Sequence, residues 1–264
     1  MQREKTPVIS NHQVAEDTML LCLDVGAGKK GDYRPGRFVH IAVPGRKDLI
    51  LRRPISIFCY HDAVGRLELL YQVMGAGTQA LAALKEGDAL DVLGPLGNGF
   101  LPPAPEIKTA LLVGGGIGCA PIAYLPLYRT EITFDAILGF RNQACVFGME
   151  TIQKHCRRVD LMSDDGSAGD KGFVTDRLQE RLLAGERPDI IYVCGPAPMY
   201  RALKKVMADF SDITCFVSLE ERMGCGVGAC ASCACAILRD GEKHYRRVCL
   251  EGPVFPLEEV VIDG

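Results

Sequence analysis

Four cysteines crowd one stretch of the chain. It runs Ser218-Leu-Glu-Glu-Arg-Met-Gly-Cys-Gly-Val-Gly-Ala-Cys-Ala-Ser-Cys-Ala-Cys235, and a further cysteine follows at Cys249. Cys225, Cys230 and Cys233 give C-x4-C-x2-C, with Cys249 as a distant fourth. That spacing suits a [2Fe–2S] cluster, because the loop must wrap two irons, aim three thiolates inward and turn its amides toward the sulfurs. Gly224, Gly226 and Gly228 give the backbone the positive φ values such a wrap needs, and the amide hydrogen bonds help set the potential. Zinc competes for the same residues, although structural zinc usually takes two C-x2-C pairs or Cys with His. A disulfide knot would need an oxidising compartment, which nothing else in the chain suggests. Cys235 reads as a nearby buried thiol rather than a ligand.

Three other stretches carry possible chemistry. In Leu51-Arg52-Arg53-Pro54-Ile55-Ser56-Ile57, the Arg53 guanidinium can fork onto a pyrophosphate, and the Ser56 hydroxyl can hydrogen-bond a flavin ring nitrogen. Taken alone, an Arg and a Ser on a strand are ordinary solvated surface. Their neighbours are Leu70-Tyr71-Gln72, where Tyr71 is either a ring-stacking or a core aromatic, and Gly77-Thr78 at the start of a short helix. In the middle of the chain, Gly114-Gly115-Gly116-Ile117-Gly118 follows an apolar strand and precedes an apolar helix. This arrangement sets backbone amides against a diphosphate, although the spacing is not G-x-G-x-x-G and a plain tight turn would look the same. Finally, Cys194-Gly195-Pro196 stands at the carboxyl end of a strand, where open sheets bind ligands. Cys194 suits either a place beside a nicotinamide or a buried structural role. Asp164-Asp165-Gly166-Ser167 lies past another strand end, as a ligand contact or a solvated turn. The five histidines sit in no motif and read as surface or packing residues. No stretch offers a triad or a paired acid and base for a small substrate, so substrate chemistry belongs to a partner.

The elements that must position these residues fall into two patterns. Up to about Leu101, short strands (Met19–Asp24, Phe38–Val43, Ser56–Tyr60, Leu67–Val73, Ala89–Leu93) alternate with Gly, Pro and Asp turns, as in a β-barrel or sandwich, with one helix at Thr78–Leu84. Leu101-Pro102-Pro103-Ala104-Pro105 is a stiff linker. Beyond it, strands at Thr109–Val113, Asp135–Phe140, Val159–Met162 and Ile190–Cys194 alternate with helices, as in a doubly wound parallel sheet. The chain therefore divides as residues 1–101, 102–212 and 213–264. Its 264 residues, 48% of them hydrophobic, suit two domains and an appendage. A net charge of −3 argues against a general nucleic-acid binder. The amino terminus lacks an apolar signal core, and twelve cysteines fit a reduced, cytoplasmic setting. The uncharged run Ala110–Tyr128 approaches membrane-span length, but its glycines and prolines suit a nucleotide-binding strand, turn and helix better.

With these residues in hand, the chain resembles the ferredoxin–NADP reductase superfamily. Within it, the resemblance is to the electron-transfer subunits of type B, NAD-dependent dihydroorotate dehydrogenases. It covers nearly the whole chain and rests on Arg53-Pro54-Ile55-Ser56, Gly77-Thr78, Gly114 to Gly118 with Pro121, Cys194-Gly195-Pro196 with Met199, the four cysteines, and Cys249-Leu-Glu-Gly-Pro-Val-Phe. The superfamily usually has Tyr where Ile55 stands, whereas this subunit type carries Ile. The resemblance implies an α+β multidomain protein: an antiparallel β-barrel FAD domain, a doubly wound α/β NAD-binding domain and a small C-terminal [2Fe–2S] segment. It also implies an FMN-containing catalytic subunit as partner, two copies of each in a heterotetramer, and electrons passing from dihydroorotate to NAD+ in pyrimidine synthesis. Two alternatives remain: a reductase subunit serving a hydrogenase, sulfite reductase or ferredoxin, and a zinc-stabilised interaction module. NAD is preferred to NADP by resemblance alone, since Arg141 could meet a ribose phosphate.

Overall fold

The computed structural model describes residues 2–29, 32–46, 48–100 and 106–262. The proline-rich stretch 101–105, where the sequence places a linker and a domain boundary, lies outside the described residues. The first elements are β1 (Gln2–Ala15), β2 (Thr18–Asp24), β3 (Phe38–Ile41), β4 (Arg53–His61) and β5 (Arg66–Gln72), then helix α1 (Ala76–Ala82) and β6 (Ala89–Leu96). The strands are paired antiparallel and close into a barrel in the order β1-β2-β5-β4-β3-β6. Period-two alternation fills it: Leu67 and Leu69 are fully buried on β5 while Glu68 between them is not. Long β1 pairs with both β2 and β6, so it is the seam that removes the free edges.

The second set of elements is β7 (Thr109–Gly115), α2 (Cys119–Ala123), α3 (Leu125–Tyr128), β8 (Thr133–Phe140), α4 (Met149–His155), β9 (Arg158–Ser163) and β10 (Asp170–Lys171). It continues with α5 (Val174–Leu183), β11 (Ile190–Cys194), α6 (Ala197–Met207), β12 (Thr214–Ser218), β13 (Ala234–Arg239), β14 (Glu242–Arg247), α7 (Val248–Glu251) and β15 (Val254–Pro256). One sheet runs β10-β9-β8-β7-β11-β12-β15, parallel except for β15, which lies antiparallel on β12. Ala110 to Gly114 of β7 are buried without a break, as a strand covered on both faces must be. The strand order reverses between β7 and β11, so the crevice at their carboxyl ends is the switch point of the sheet. The uncharged run is thus β7, a turn and two short helices. Among the described residues no helix is long and apolar enough to cross a membrane.

A charge network pins this sheet to α5. Arg181 is only 4% exposed and reaches Asp135 of β8 at 2.8 Å, Asp160 of β9 at 3.2 Å and Glu186 at 2.6 Å. Arg157 joins the same Asp135 carboxylate at 2.8 Å. Burial pushes the Asp135 carboxyl up, but the Arg157 and Arg181 guanidiniums outweigh it and hold its pKa below the ordinary range.

The chain forms two compact units. The barrel gathers Glu220–Cys235 and Arg246–Pro253 into its own unit, while the sheet takes Ala236–Tyr245 and the residues from Val254 onward. The cysteine stretch is therefore packed with the barrel, although it follows the sheet in sequence. On the barrel side, Asn98 just beyond β6 fastens it. The Asn98 backbone N–H donates to the Gly252 carbonyl at 2.7 Å, and its side-chain amide donates to the Glu251 carbonyl at 2.9 Å.

Candidate cluster, flavin and nucleotide sites

Between Gly224 and Cys233 the backbone folds into a loop without helix or strand, and its amides turn toward sulfur. The Cys225 Sγ accepts from the amides of Val227, Ala229 and Cys230 at 3.4, 3.2 and 3.4 Å. The Cys249 Sγ accepts from the Gly228 amide at 3.1 Å, and the Cys233 Sγ from the Cys249 amide at 3.4 Å. The Cys230 Sγ accepts from the Cys225 amide at 3.4 Å and lies 3.2 Å from the Ser232 hydroxyl. A disordered or merely capped loop would aim these donors at oxygen or water. Weak thiol acceptors become strong ones only as thiolates, so this donor set fits an iron–sulfur group. Gly226 and Gly228 adopt φ of +72° and +81°, the left-handed region that glycine enters without strain.

The four thiols differ in setting. Cys233 and Cys249 are each 2% exposed, Cys225 is half-buried and Cys230 is exposed. The Ser232 hydroxyl first, then the Ser232 and Cys225 amides, bring the Cys230 thiol down to about 6. Burial first, then the neighbouring Cys233 thiol, push Cys249 up to about 12. Cys235 is a buried thiol on β13, which burial pushes up to about 11. Among the described residues, the three donor atoms lying within 4.8 Å of one another belong to Cys59, His61 and Glu68, not to this loop. At the other cluster, one Glu68 oxygen already faces both His61 and Arg66 at 3.0 Å, so that carboxylate is part of an ion pair.

On the same unit, the structure brings Arg53 and Gly77 together. A Cβ built on Gly77 would lie 2.4 Å from the Arg53 Nε and 2.7 Å from its second terminal nitrogen, so the guanidinium lies on bare backbone. One Arg53 N–H donates to the Leu51 carbonyl at 2.6 Å. The Thr78 hydroxyl accepts from the Met74 and Gly75 amides at 2.9 and 3.2 Å and closes the turn before α1. Pro54 and Ser56 are half-buried on β4, and Ile55 is buried. On β5, Leu70 is buried and Gln72 half-buried. Tyr71 departs from the stacking alternative: its side chain is 2% exposed in the core, with its hydroxyl donating to Asn11 Oδ1 at 3.1 Å.

The remaining candidates meet at the switch point of the sheet. Gly118 packs so closely on β11 that a Cβ there would lie 2.5 Å from the Cys194 carbonyl oxygen and 2.7 Å from the Gly195 nitrogen. Cβ atoms on Gly115 and Gly195 would strike the Met199 sulfur at 2.7 and 2.5 Å. Gly116, at φ +55°, has open space where a Cβ would go. The Cys194 thiol is 1% exposed and points to the Ser218 carbonyl oxygen at 3.7 Å. Pro196 precedes α6, and the Gly195 amide donates to the Tyr200 hydroxyl at 3.1 Å. At Asp165, the carboxylate accepts from the Ser167 amide and hydroxyl at 2.9 and 2.7 Å, which closes that turn on itself.

Comparison with known proteins agrees across the chain. Residues 5–100 match the oxidoreductase FAD-binding domain, 112–205 the oxidoreductase NAD-binding domain, and 220–261 the iron-sulfur cluster binding domain of dihydroorotate dehydrogenase B. The dihydroorotate dehydrogenase B (NAD(+)) electron transfer subunit of Shouchella clausii is 43% identical over 259 residues, covering 97% of this chain and 96% of that one. That of Geobacillus kaustophilus is 42% identical, covering 98% and 99%. Among solved structures, an NADH-dependent reduced ferredoxin–NADP oxidoreductase is similar at a TM-score of 0.83 and 28% identity, over 98% of this chain and 90% of that chain. Phthalate dioxygenase reductase shares the fold at a TM-score of 0.65 and 17% identity, over 94% of each chain.

Proposed function

This chain belongs to the family of electron transfer subunits of dihydroorotate dehydrogenase B, and from that premise we propose that it carries electrons from a dihydroorotate-oxidising catalytic partner to NAD+ in pyrimidine synthesis. It carries FAD-binding, NAD-binding and iron–sulfur-binding domains. An iron–sulfur group exchanges single electrons, a nicotinamide exchanges hydride and a flavin does both, so together they join the two kinds of traffic.

The chain's own residues then have separable tasks. Cys225, Cys230, Cys233 and Cys249 would hold a [2Fe–2S] cluster, and the loop amides would stabilise its negative charge. Arg53 would fork onto the FAD pyrophosphate from its place on Gly77, with Pro54, Ile55, Ser56 and the main chain of Leu70–Gln72 along the rest of the molecule. The bare backbone of Gly114–Gly118 and Gly195 would admit the NAD diphosphate at the switch point. Exposed Cys230 and Leu250, the latter 49% exposed beside Cys249, mark the rim that would face the partner. That partner would be an FMN-containing subunit, two copies of each forming the complex. Twelve free thiols fit a cytoplasmic setting.

The observation that carries this reading is the set of six amides aimed at four thiols on the unit that also carries Arg53 over Gly77. Co-purification with the FMN-containing dihydroorotate dehydrogenase subunit tests it. The complex is expected to contain iron, acid-labile sulfide and FAD, and to reduce NAD+ with dihydroorotate. A loaded complex that ignores dihydroorotate but accepts electrons from another donor would overturn the assignment.

A further inference from the structure

His40 is the one histidine with no exposed surface, and its ring lies beside the main chains of Arg52 and Cys225 without a well-formed hydrogen bond at either ring nitrogen. A buried donor or acceptor without a well-formed hydrogen bond is costly, so a group in this state calls for a reason. It sits on β3, whose four residues are all buried. Side chains alternate along a strand, so a strand buried throughout is covered on both faces. The cover over His40 includes the cluster loop. A Cβ built on Gly226 would lie 2.4 Å from the His40 Nδ1 and 3.1 Å from its Cε1. The Nδ1 corner of the ring is therefore pressed against bare backbone one residue after Cys225.

His40 also faces the strand that carries the flavin signature. It stands opposite Pro54 in the β3–β4 register, next to Arg53, and its carbonyl accepts from an Arg52 N–H at 3.1 Å. The polar groups beside the ring are the main chains of Arg52 and Cys225, both of which favour its charged form. Burial first, then the charge of Arg52, outweigh them and pull the pKa down. An imidazole between these two main chains is a spacer.

We infer that His40 is a positioning residue that sets the Cys225–Gly226 turn of the cluster loop against the strand of Arg53 and Pro54. This rests on the electron-transfer reading and adds to it: one side chain would fix where the first ligand stands relative to the flavin strand. It also gives Gly226 a second reason to be glycine, since any side chain there would displace the ring. The fit is geometric and does not depend on proton uptake.

The test uses the full chain loaded with iron–sulfur and FAD, comparing wild type, His40→Leu and His40→Gln. The readouts are iron and FAD content, the electron paramagnetic resonance line shape of the reduced cluster, and its midpoint potential by redox titration. His40→Leu is expected to keep FAD at the wild-type ratio but to broaden the signal and shift the potential to more negative values. His40→Gln, which keeps an N–H donor, is expected to recover part of both changes. Unchanged line shape and potential in a loaded His40→Leu chain would overturn the inference while leaving the electron-transfer reading intact. A wild-type chain that holds neither iron nor FAD would overturn both. Should His40→Leu fail to fold, His40→Gln and Gly226→Ala decide together: a wild-type potential and line shape in both would overturn the role.

Discussion

Two regions of the molecule build their candidate sites by opposite means. On the barrel unit, the candidate sites are made of side chains: four sulfurs gathered by amides, and a guanidinium laid on a glycine. At the switch point of the sheet, the candidate site is made of main chain, and the side chains around it are turned away. Cys194 shows this best, since its thiol is buried toward Ser218 while only its backbone borders Gly118. Glycine has a different task in each. In the cluster loop, Gly226 and Gly228 supply left-handed φ values. At the switch point, Gly118 and Gly195 are not left-handed and supply clearance from Cys194 and Met199. A site of side chains should fail when an atom is removed, and a site of main chain when an atom is added.

That contrast can be broken most sharply at the cysteines. Cys249→Ser is expected to lose nearly all of the iron and sulfide, measured by chemical analysis of purified protein, whereas Cys194→Ser should keep both. Next in size is Asp135→Asn, which leaves buried Arg181 short of a partner and should cost about 3 kcal/mol in urea unfolding. Its pH dependence has a definite sign. A carboxyl held below its ordinary pKa contributes stability above about pH 4 that is lost as pH falls toward its folded value. Wild type should therefore lose stability over that acid range more steeply than Asp135→Asn.

Adding one methyl group at Gly118 puts a Cβ against the Cys194 carbonyl and should cost about 2 kcal/mol by overpacking, with weaker NADH binding in fluorescence titration. If Gly118→Ala instead binds NADH as wild type does, the main-chain account of the switch point fails. Arg53→Lys replaces a planar fork with a point charge and should weaken FAD retention about tenfold, read by dialysis against free FAD. The smallest effect is expected at Gly116, where the space is open and only the positive φ matters. Gly116→Ala should cost about 1 kcal/mol.

Much of this was legible in the sequence, for physical reasons that differ by region. Cysteine spacing is local, since the turn that wraps a cluster needs its ligands within a few residues. The barrel and the parallel sheet were legible because period-two runs and apolar strands declare which faces are covered. The long β1 was not, because its residues are mostly exposed and its pairing partners lie far along the chain. The Arg181 network was invisible for the same reason: Asp135, Asp160 and Glu186 come together only through the sheet. Tyr71 could not be resolved between ring stacking and core, because period alone does not say which side of a barrel strand faces inward. His40 looked like any other histidine in the sequence, and only the cover supplied by Gly226 sets it apart.

The closing strand β15 has a consequence for how the molecule is made. It is the antiparallel neighbour of β12, and it follows the cluster loop in the chain. A ribosome therefore finishes the metal-loading segment before it supplies the strand that shields the outer rim of the nucleotide sheet. Until then, the Phe216–Ser218 main chain is open to any passing strand. Nascent chains stalled at this point should be the sticky ones, and a chaperone that guards this edge would protect the maturing protein most.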